Sequence, residues 1–482
     1  MNEVETVVSE KKVDYAEVLE RYRSYEQQHV LRFWDMLSSD QRQSFLQQLN
    51  SIDLDLIKDL SERFVLASSS IPEEDGMLSP AEVIAVPRNE QQRKSAAKAA
   101  ALGEEALRAG RIGVILVAGG QGTRLGFDGP KGKLPITPVK KKSLFQLHAE
   151  KILALNRRFK IALPWYIMTS ETNDAETRAF FDENQYFGLA KSDIFFFQQS
   201  MIPAVDDKGK LILSEPDRVF TNPNGHGGTL NALRDSGALA DMENRGIQDV
   251  FYFQVDNVLS RISDPIFIGY HTQVNSDMSC KAVAKKNPHE KVGVFGKLDG
   301  KLTVVEYSDL SEEQMQATND DGSLMYGAGS IATHVIKREF IEDLTGGTLS
   351  LPYHVAHKKI AYIAASGEKI EPEEPNGYKF ETFIFDALQF AANPVVMEVE
   401  RNEEFSPVKN PNGDASSETA IRDLCNLYGR WFETAGIPVP RDPRTHTVMG
   451  NLEISPLFAL DESEFVEKSD TGLKFRDGLY LG

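Results

Sequence analysis

Cysteine is scarce in this 482-residue chain, with only Cys280 and Cys425 present. They lie far apart, in neither CxxC nor Cys/His ligand spacing, which argues against a disulfide framework and against zinc or iron–sulfur chemistry, and for a reducing compartment. Long apolar runs are missing as well: nothing approaches the roughly 18 residues of a membrane span. The opening MNEVETVVSEKKVDYAEVLE is acidic and has no apolar targeting core, so the expected location is the cytoplasm. Positive charge is in deficit. Lys plus Arg number 53 against 72 Asp plus Glu, a net charge of −19 that repels phosphate backbones and anionic head groups. No nucleic-acid or membrane partner is expected. An anionic substrate would therefore need a local concentration of cations. What the chain does have is ordinary globular composition, 41% apolar and 26% charged, with 35 Gly and 22 Pro dispersed along it. At roughly 100–200 residues per domain its length predicts two to four domains.

Three regions are predicted along the chain. From Tyr15 to about Leu66 apolar residues recur mostly at helical spacing, and an Ala-rich helix near Ser95–Arg108 follows a polar, Pro-bearing connection, SSSIPEEDGMLSPAEVIAVPRNE. Residues 1–108 thus read as an N-terminal helical region. From Ile112 the runs IGVILVA, WYIMTS, IFFFQQ and VFYFQVD alternate with helical segments, and further strands are expected near Ala282, Val294, Val304 and Ile331. Strands apolar on both faces and separated by helices predict an α/β fold with a mixed, mostly parallel sheet. The runs 291–298 and 301–307, split by Asp299-Gly300, predict an antiparallel hairpin. The stretch YKFETFIFDALQFA reads as a helix and VVMEVE as a strand closing this domain, placed at 109–409. Residues 410–482 predict a helix around Ala420–Phe432 and then short strands in THTVMGNLEISPLFAL, a small C-terminal β domain.

The strongest local signal is VAGGQGTRLGFDGPKGKLPI, residues 117–136, directly after the strand IGVIL. Its glycines permit close backbone approach to a ligand and present N–H groups suited to phosphate. Gly132-Lys133 is followed by Leu134 rather than Ser or Thr, so this is no P-loop. Gly120, Gly122 and Gly126 are spaced Gly-x-Gly-x-x-x-Gly, one residue too long for the dinucleotide fingerprint, and Arg124 and Lys131 add two cations. A Gly loop carrying an Arg and a Lys suits a nucleoside triphosphate that releases pyrophosphate.

The loop resembles the GGxGTRLGxxxPKG signature of sugar nucleotidyltransferases, and within them the UDP-sugar pyrophosphorylase family on its UDP-N-acetylglucosamine side. Gly119, Gly120, Gly122, Thr123, Arg124, Leu125, Gly126, Pro130, Lys131 and Gly132 all agree. Similar stretches recur through SLFQLHAEKI, MTSE, QSMIPAV, PNGHGGTLNAL, QVDNVLSRISDP, VVEYSDL, GSLMYGAGSI, EPNGYK and EEFSPVKN, covering about residues 15–435. The resemblance implies a glycosyltransferase-A-like Rossmann core. It also implies a reaction in which UTP and a sugar 1-phosphate, most simply N-acetylglucosamine 1-phosphate, give a UDP-sugar and pyrophosphate with the help of Mg²⁺ or Mn²⁺.

The same resemblance distributes roles. Arg124, Lys131 and Lys409 match catalytic cations, and Val117, Ala118, Gly119 and Gly120 match the lining of the nucleoside. Gln199 and the backbone of Gly225 match the readers of the uracil edge, which suits an amide able to donate and accept together. Gln198 is predicted to face away from Gln199 on the strand. His226 matches a phosphate or sugar contact, and Lys379 a lysine near the phosphates. Asp256, at the carboxyl end of an apolar strand, matches a metal or substrate ligand, its simpler role being a helix cap. Gly293, Glu306 and Ser330 match the sugar pocket, although Gly327 and Ser330 stand where the family's N-acetylglucosamine enzymes carry Asn. His354 and His357 lack a third ligand nearby and read as structural. Open alternatives are a UDP-glucose or broad UDP-sugar pyrophosphorylase, and a non-catalytic nucleotide-sugar sensor. The sensor reading would require loss of the Arg124, Lys131 or Asp256 residue types, and none is lost. Oligomeric state is not readable.

Overall fold

The computed structural model describes residues 14–67, 76–347, 349–470 and 472–482. The acidic opening segment up to residue 13 and the 68–75 portion of the polar connection lie outside the described residues. The chain forms two compact units, neither of them continuous: Met1–Asp75 with Ser200–Gly228 and Pro352–Phe383, and Gly76–Gln199 with Thr229–Leu351 and Ile384–Gly482. This cut differs from the linear boundaries at 108 and 409.

The second unit is built on a sheet that has, among the described residues, ten strands: β1 Leu78–Pro80, β2 Ile112–Val117, β3 Trp165–Thr169, β4 Ile194–Gln198, β5 Asp249–Gln254, β6 Met278–Ala284, β7 Val294–Leu298, β8 Lys301–Val305, β9 Ala328–Lys337 and β10 Val395–Glu398. Their order is β1-β7-β9-β5-β2-β3-β4, with β6 between β9 and β10 and with β8 on β7. Strands β5, β2, β3 and β4 are mutually parallel. The sheet is mixed and mostly parallel, as expected: β6, β7 and β10 run the same way as this block, while β9 runs antiparallel to β5, β6 and β7, and β1 and β8 run antiparallel to β7. The hairpin explains part of this: Asp299 (φ 49°) and Gly300 (φ 81°) supply the two positive φ angles of a primed turn, which joins β7 to β8 directly.

Both faces of the parallel block are apolar because successive residues point to opposite sides. Val114, Leu116, Ile167, Phe251 and Phe253 pack into one core, and Ile115, Tyr166, Met168, Val250 and Tyr252 into another. From residue 410 onward the chain contributes helix Ser417–Thr434, helix Glu462–Lys468 and a two-stranded parallel pair, Leu452–Ile454 with Leu479–Leu481. Within the 445–460 stretch read as short strands, Leu452–Ile454 forms a strand and Val448 an isolated antiparallel bridge to Arg441, and Leu424, Phe432, Leu452 and Phe465 join the first of the two sheet cores.

The first unit has its own core. Helices Tyr15–Ser24, Ser39–Ser51 and Leu54–Ser61 bury Tyr22, Phe45, Leu49 and Leu60 against Ile202, Val219 and Phe380. Ser38, followed by Gln41, forms a capping box that starts the second helix. The segment read as one helix over 378–391 is instead the strand Gly377–Thr382, paired antiparallel with Tyr353–Lys358, and then a 3₁₀ turn Ile384–Gln389. Its aromatic and β-branched residues mimic helical spacing, but strand pairing wins. No helix among the described residues is long and apolar enough to cross a membrane, and both cysteines are free and buried.

Candidate active site

The glycine loop leaves β2 at the carboxyl edge of the parallel strands, where open α/β sheets bind ligands. Ala118 is buried and its N–H donates to Met168 on β3. The loop then folds back on itself: Gly122 N–H donates to Gly129 O, and Lys131 N–H to Gly120 O at 3.1 Å. Asn173, wholly buried, braces it, its Nδ2 donating to Ala118 O at 3.0 Å while its Oδ1 accepts from Ser170 N–H. Sequence reading missed this residue, and its only signal was the adjacent MTSE stretch.

Two of the motif glycines are explained by packing. A Cβ on Gly132 would lie 2.2 Å from the Phe145 ring, and one on Gly119 would lie 3.0 Å from Gln199 Oε1. Gln199 therefore stands against the loop backbone, anchored by its N–H to Thr169 O. Gln198 is exposed and bonds instead to Asp174, so the two amides diverge as strand alternation requires.

Lys131 Nζ meets Asp256 Oδ2 at 3.3 Å, with both side chains largely shielded from water. Asp256 is not a helix cap: the next helix, Pro265–Gln273, is capped by Asp264. The Asp256 carbonyl accepts from Val408 N–H at 3.0 Å, and Asn257 pairs with Pro407 as an antiparallel bridge. This brings exposed Lys409, next along the chain, beside the Asp256 turn. Arg124 sits in a 3₁₀ turn of the loop, exposed and with no ion pair among the described residues. Lys131, Asp256 and the Lys409 backbone are thus brought together, with Arg124 exposed in the loop.

The sugar-pocket candidates form a second group on the same sheet edge. Because β9 is antiparallel to β5, its beginning lies along the edge where β5 ends. There Ser330 N–H donates to Gly293 O at 2.8 Å, and Glu306 Oε1 lies 3.5 Å from where a Gly293 Cβ would stand. The backbone bulges at this point, with Ala332 at φ 53° and a register shift between Cys280 and Ala282.

Gly225, His226 and Lys379 belong to the first unit. Gly225 (φ 59°) packs against the Thr382 backbone, His226 stacks on Phe383 at 5.3 Å, and the Lys379 ammonium lies over the Phe220 ring at 4.9 Å. His354 and His357 fall on a strand, Tyr353–Lys358, and at a separation of three they point to opposite faces. His354 packs on Phe383 and His357 stacks on Tyr378.

Among the described residues no three His, Cys, Asp or Glu side chains are clustered to hold a metal. A single carboxylate nevertheless suits Mg²⁺, which takes most of its six oxygens from phosphates and water. Asp256 offers Oδ1 for this, since Oδ2 faces Lys131. A separate cavity of about 370 Å³, lined by Lys151, Leu155, Val258, Leu424, Tyr428 and Trp431 among others, lies beneath the turn after Asp256 and contains none of these site residues.

Residues 56–426 match the UTP--glucose-1-phosphate uridylyltransferase family. The UDP-N-acetylglucosamine pyrophosphorylase of Saccharomyces cerevisiae is 38% identical, the match covering 85% of this chain and 89% of that one. UDP-N-acetylglucosamine diphosphorylase 2 of Arabidopsis thaliana is 37% identical over 91% and 89% of the two chains. Among solved structures, the uridine diphosphate N-acetylglucosamine pyrophosphorylase from Trypanosoma brucei in complex with inhibitor superposes with a TM-score of 0.80 at 28% identity, covering 96% of this chain and 95% of that one. The chain belongs to the UTP--glucose-1-phosphate uridylyltransferase family.

Proposed function

We propose that this nucleotidyltransferase makes UDP-N-acetylglucosamine from UTP and N-acetylglucosamine 1-phosphate. A phosphate oxygen of the sugar 1-phosphate attacks the α-phosphorus of UTP, the bond from that phosphorus to the α–β bridging oxygen breaks, and pyrophosphate leaves. The observation that carries the reading is the Lys131–Asp256 pair at 3.3 Å, set by the glycine loop on the carboxyl edge of the parallel strands. Lys131, Arg124 and Lys409 offset charge that grows around the α-phosphate, the largest service a protein can offer such a reaction. Val117, Ala118, Gly119 and Gly120 line the nucleoside, and Gln199 and Gly225 read the uracil. His226 and Lys379 approach the sugar or phosphates, while Gly293, Glu306 and Ser330 receive the sugar. Asp256 would hold Mg²⁺ or Mn²⁺, which would supply positive charge to offset that of the phosphates.

Support for the N-acetylated sugar comes from the relatives named for N-acetylglucosamine, and against it stands Ser330 in place of a longer amide. A UDP-glucose activity is the second reading, favoured by the family description. Pyrophosphate release measured with UTP or ATP and a panel of sugar 1-phosphates tests both. UTP is expected to be turned over and ATP poorly, each mismatched buried polar group costing about 1–3 kcal/mol. Equal turnover of ATP and UTP would overturn the assignment.

A further inference from the structure

The turn that carries Asp256 is fastened to the segment that carries Lys409 by one side chain with no role so far, Asn257. It is buried, and its amide is fully used on backbone: Nδ2 donates to Glu404 O at 2.7 Å and Oδ1 accepts from Ser406 N–H at 2.9 Å. Backbone bonds continue the seam, Val258 N–H to Ser406 O and Val408 N–H to Asp256 O. An amide side chain here acts as a strand partner would, reading one carbonyl and one N–H of the facing chain. No carboxylate can do so, because it lacks the donor that Glu404 O requires.

The facing chain is itself fixed from below. Glu404 pairs with Lys281, which is wholly buried on β6, and Lys281 also donates to Asp264 Oδ2 at 2.8 Å. Asp264 closes the far end of the same turn. The turn after β5 is therefore held at Asn257 by the Glu404 carbonyl and at Asp264 by Lys281, which also pairs with Glu404. Such double fastening exceeds what a surface turn needs, and the residues it aligns, Asp256 and Lys409, flank the seam on either side.

We infer that Asn257 is a positioning residue for phosphoryl transfer: its amide sets the spacing between Asp256 and Lys409 by locking residues 404–408 onto the Asp256 turn. The inference rests on the roles proposed above for those two residues. A displacement of about 1 Å in such a pair lowers turnover on the order of 100-fold without abolishing binding.

The test is a kinetic cycle on the full-length enzyme with Asn257→Ala, Lys409→Ala and the double variant, following kcat and KM for UTP and the sugar 1-phosphate. Asn257→Ala should lower kcat on the order of 10–100-fold with KM changed less than about threefold. On the Lys409→Ala background the same substitution should lower kcat far less, because the group it positions is already gone. Should Asn257→Ala not fold, Asn257→Asp, which keeps the shape but replaces the donor by a charged acceptor facing Glu404 O, takes its place. An unchanged kcat, or a loss of equal factor with and without Lys409, would overturn the inference. A silent Lys409→Ala would withdraw the role given to Lys409, and the inference with it, as a separately recognisable result.

Discussion

Gly132→Ala is the substitution whose cost can be followed furthest from the structure. An added Cβ would stand 2.2 Å from two carbons of the Phe145 ring, against ordinary contact at about 3.5–4.0 Å, so roughly 1.3–1.8 Å must be found. The ring has nowhere to go: Phe145 is wholly buried and meets Phe181 edge-on at 5.0 Å and Phe180 at 6.3 Å. Overpacking of this kind costs about 1–3 kcal/mol of stability. The softer response is retreat of the loop, and Lys131 immediately precedes Gly132. A retreat near 1 Å would lower kcat on the order of 100-fold through loss of alignment. Urea unfolding and pyrophosphate-release kinetics measure the two effects separately. Phe145→Leu, which shortens the obstructing side chain, should restore part of both in the double variant. Wild-type stability and kcat in Gly132→Ala, or no recovery in the double variant, would refute this account of the motif glycine.

Lys131→Ala and Arg124→Ala should each lower kcat on the order of 10²–10³; a rise in KM for UTP alone would assign uniform binding instead. N-acetylglucosamine 1-phosphate should be preferred over glucose 1-phosphate by roughly 10–200-fold in kcat/KM, as 1–3 kcal/mol of pocket contact allows. Ser330→Asn should raise that ratio, and a measured preference for glucose 1-phosphate would promote the second reading. Burial pushes the His148 imidazole down to about 3, with its Nε2–H donated to Val255 O at 2.9 Å. In the unfolded chain it titrates near 6.5, so the unfolded state binds the extra proton and stability falls as pH drops from about 6.5 toward 3, by up to about 1.4 kcal/mol per unit. His148→Gln should flatten that part of a urea-midpoint profile against pH, and an unchanged slope would place the loss elsewhere.

Much of this site was legible because its chemistry is local. The loop from Val117 to Lys133 is a contiguous string, and strands such as Ile112–Val117 and Asp249–Gln254 are apolar on both faces, which only a buried sheet demands. What escaped reading depends on partners distant in sequence. Asn173 and Asn257 look like ordinary turn residues until Ala118 O and Glu404 O are seen to accept from them. Gly377–Thr382 resembled a helix because its pairing partner lies some twenty residues back at Tyr353–Lys358. The β7–β8 hairpin was legible in Asp299-Gly300, whereas β9, with its three antiparallel neighbours β5, β6 and β7, is revealed by no local pattern.

The first unit draws its core from three stretches of chain, and this sets a timetable for its assembly. Tyr22, Phe45 and Leu49 leave the ribosome early, but Phe380, which they share a core with, follows more than three hundred residues later. At about 5–20 residues per second that interval is roughly 15–65 s. Throughout it the amphipathic helices hold an incompletely covered apolar face, so the nascent chain is open to chaperone capture or aggregation until the Pro352–Phe383 stretch has been made.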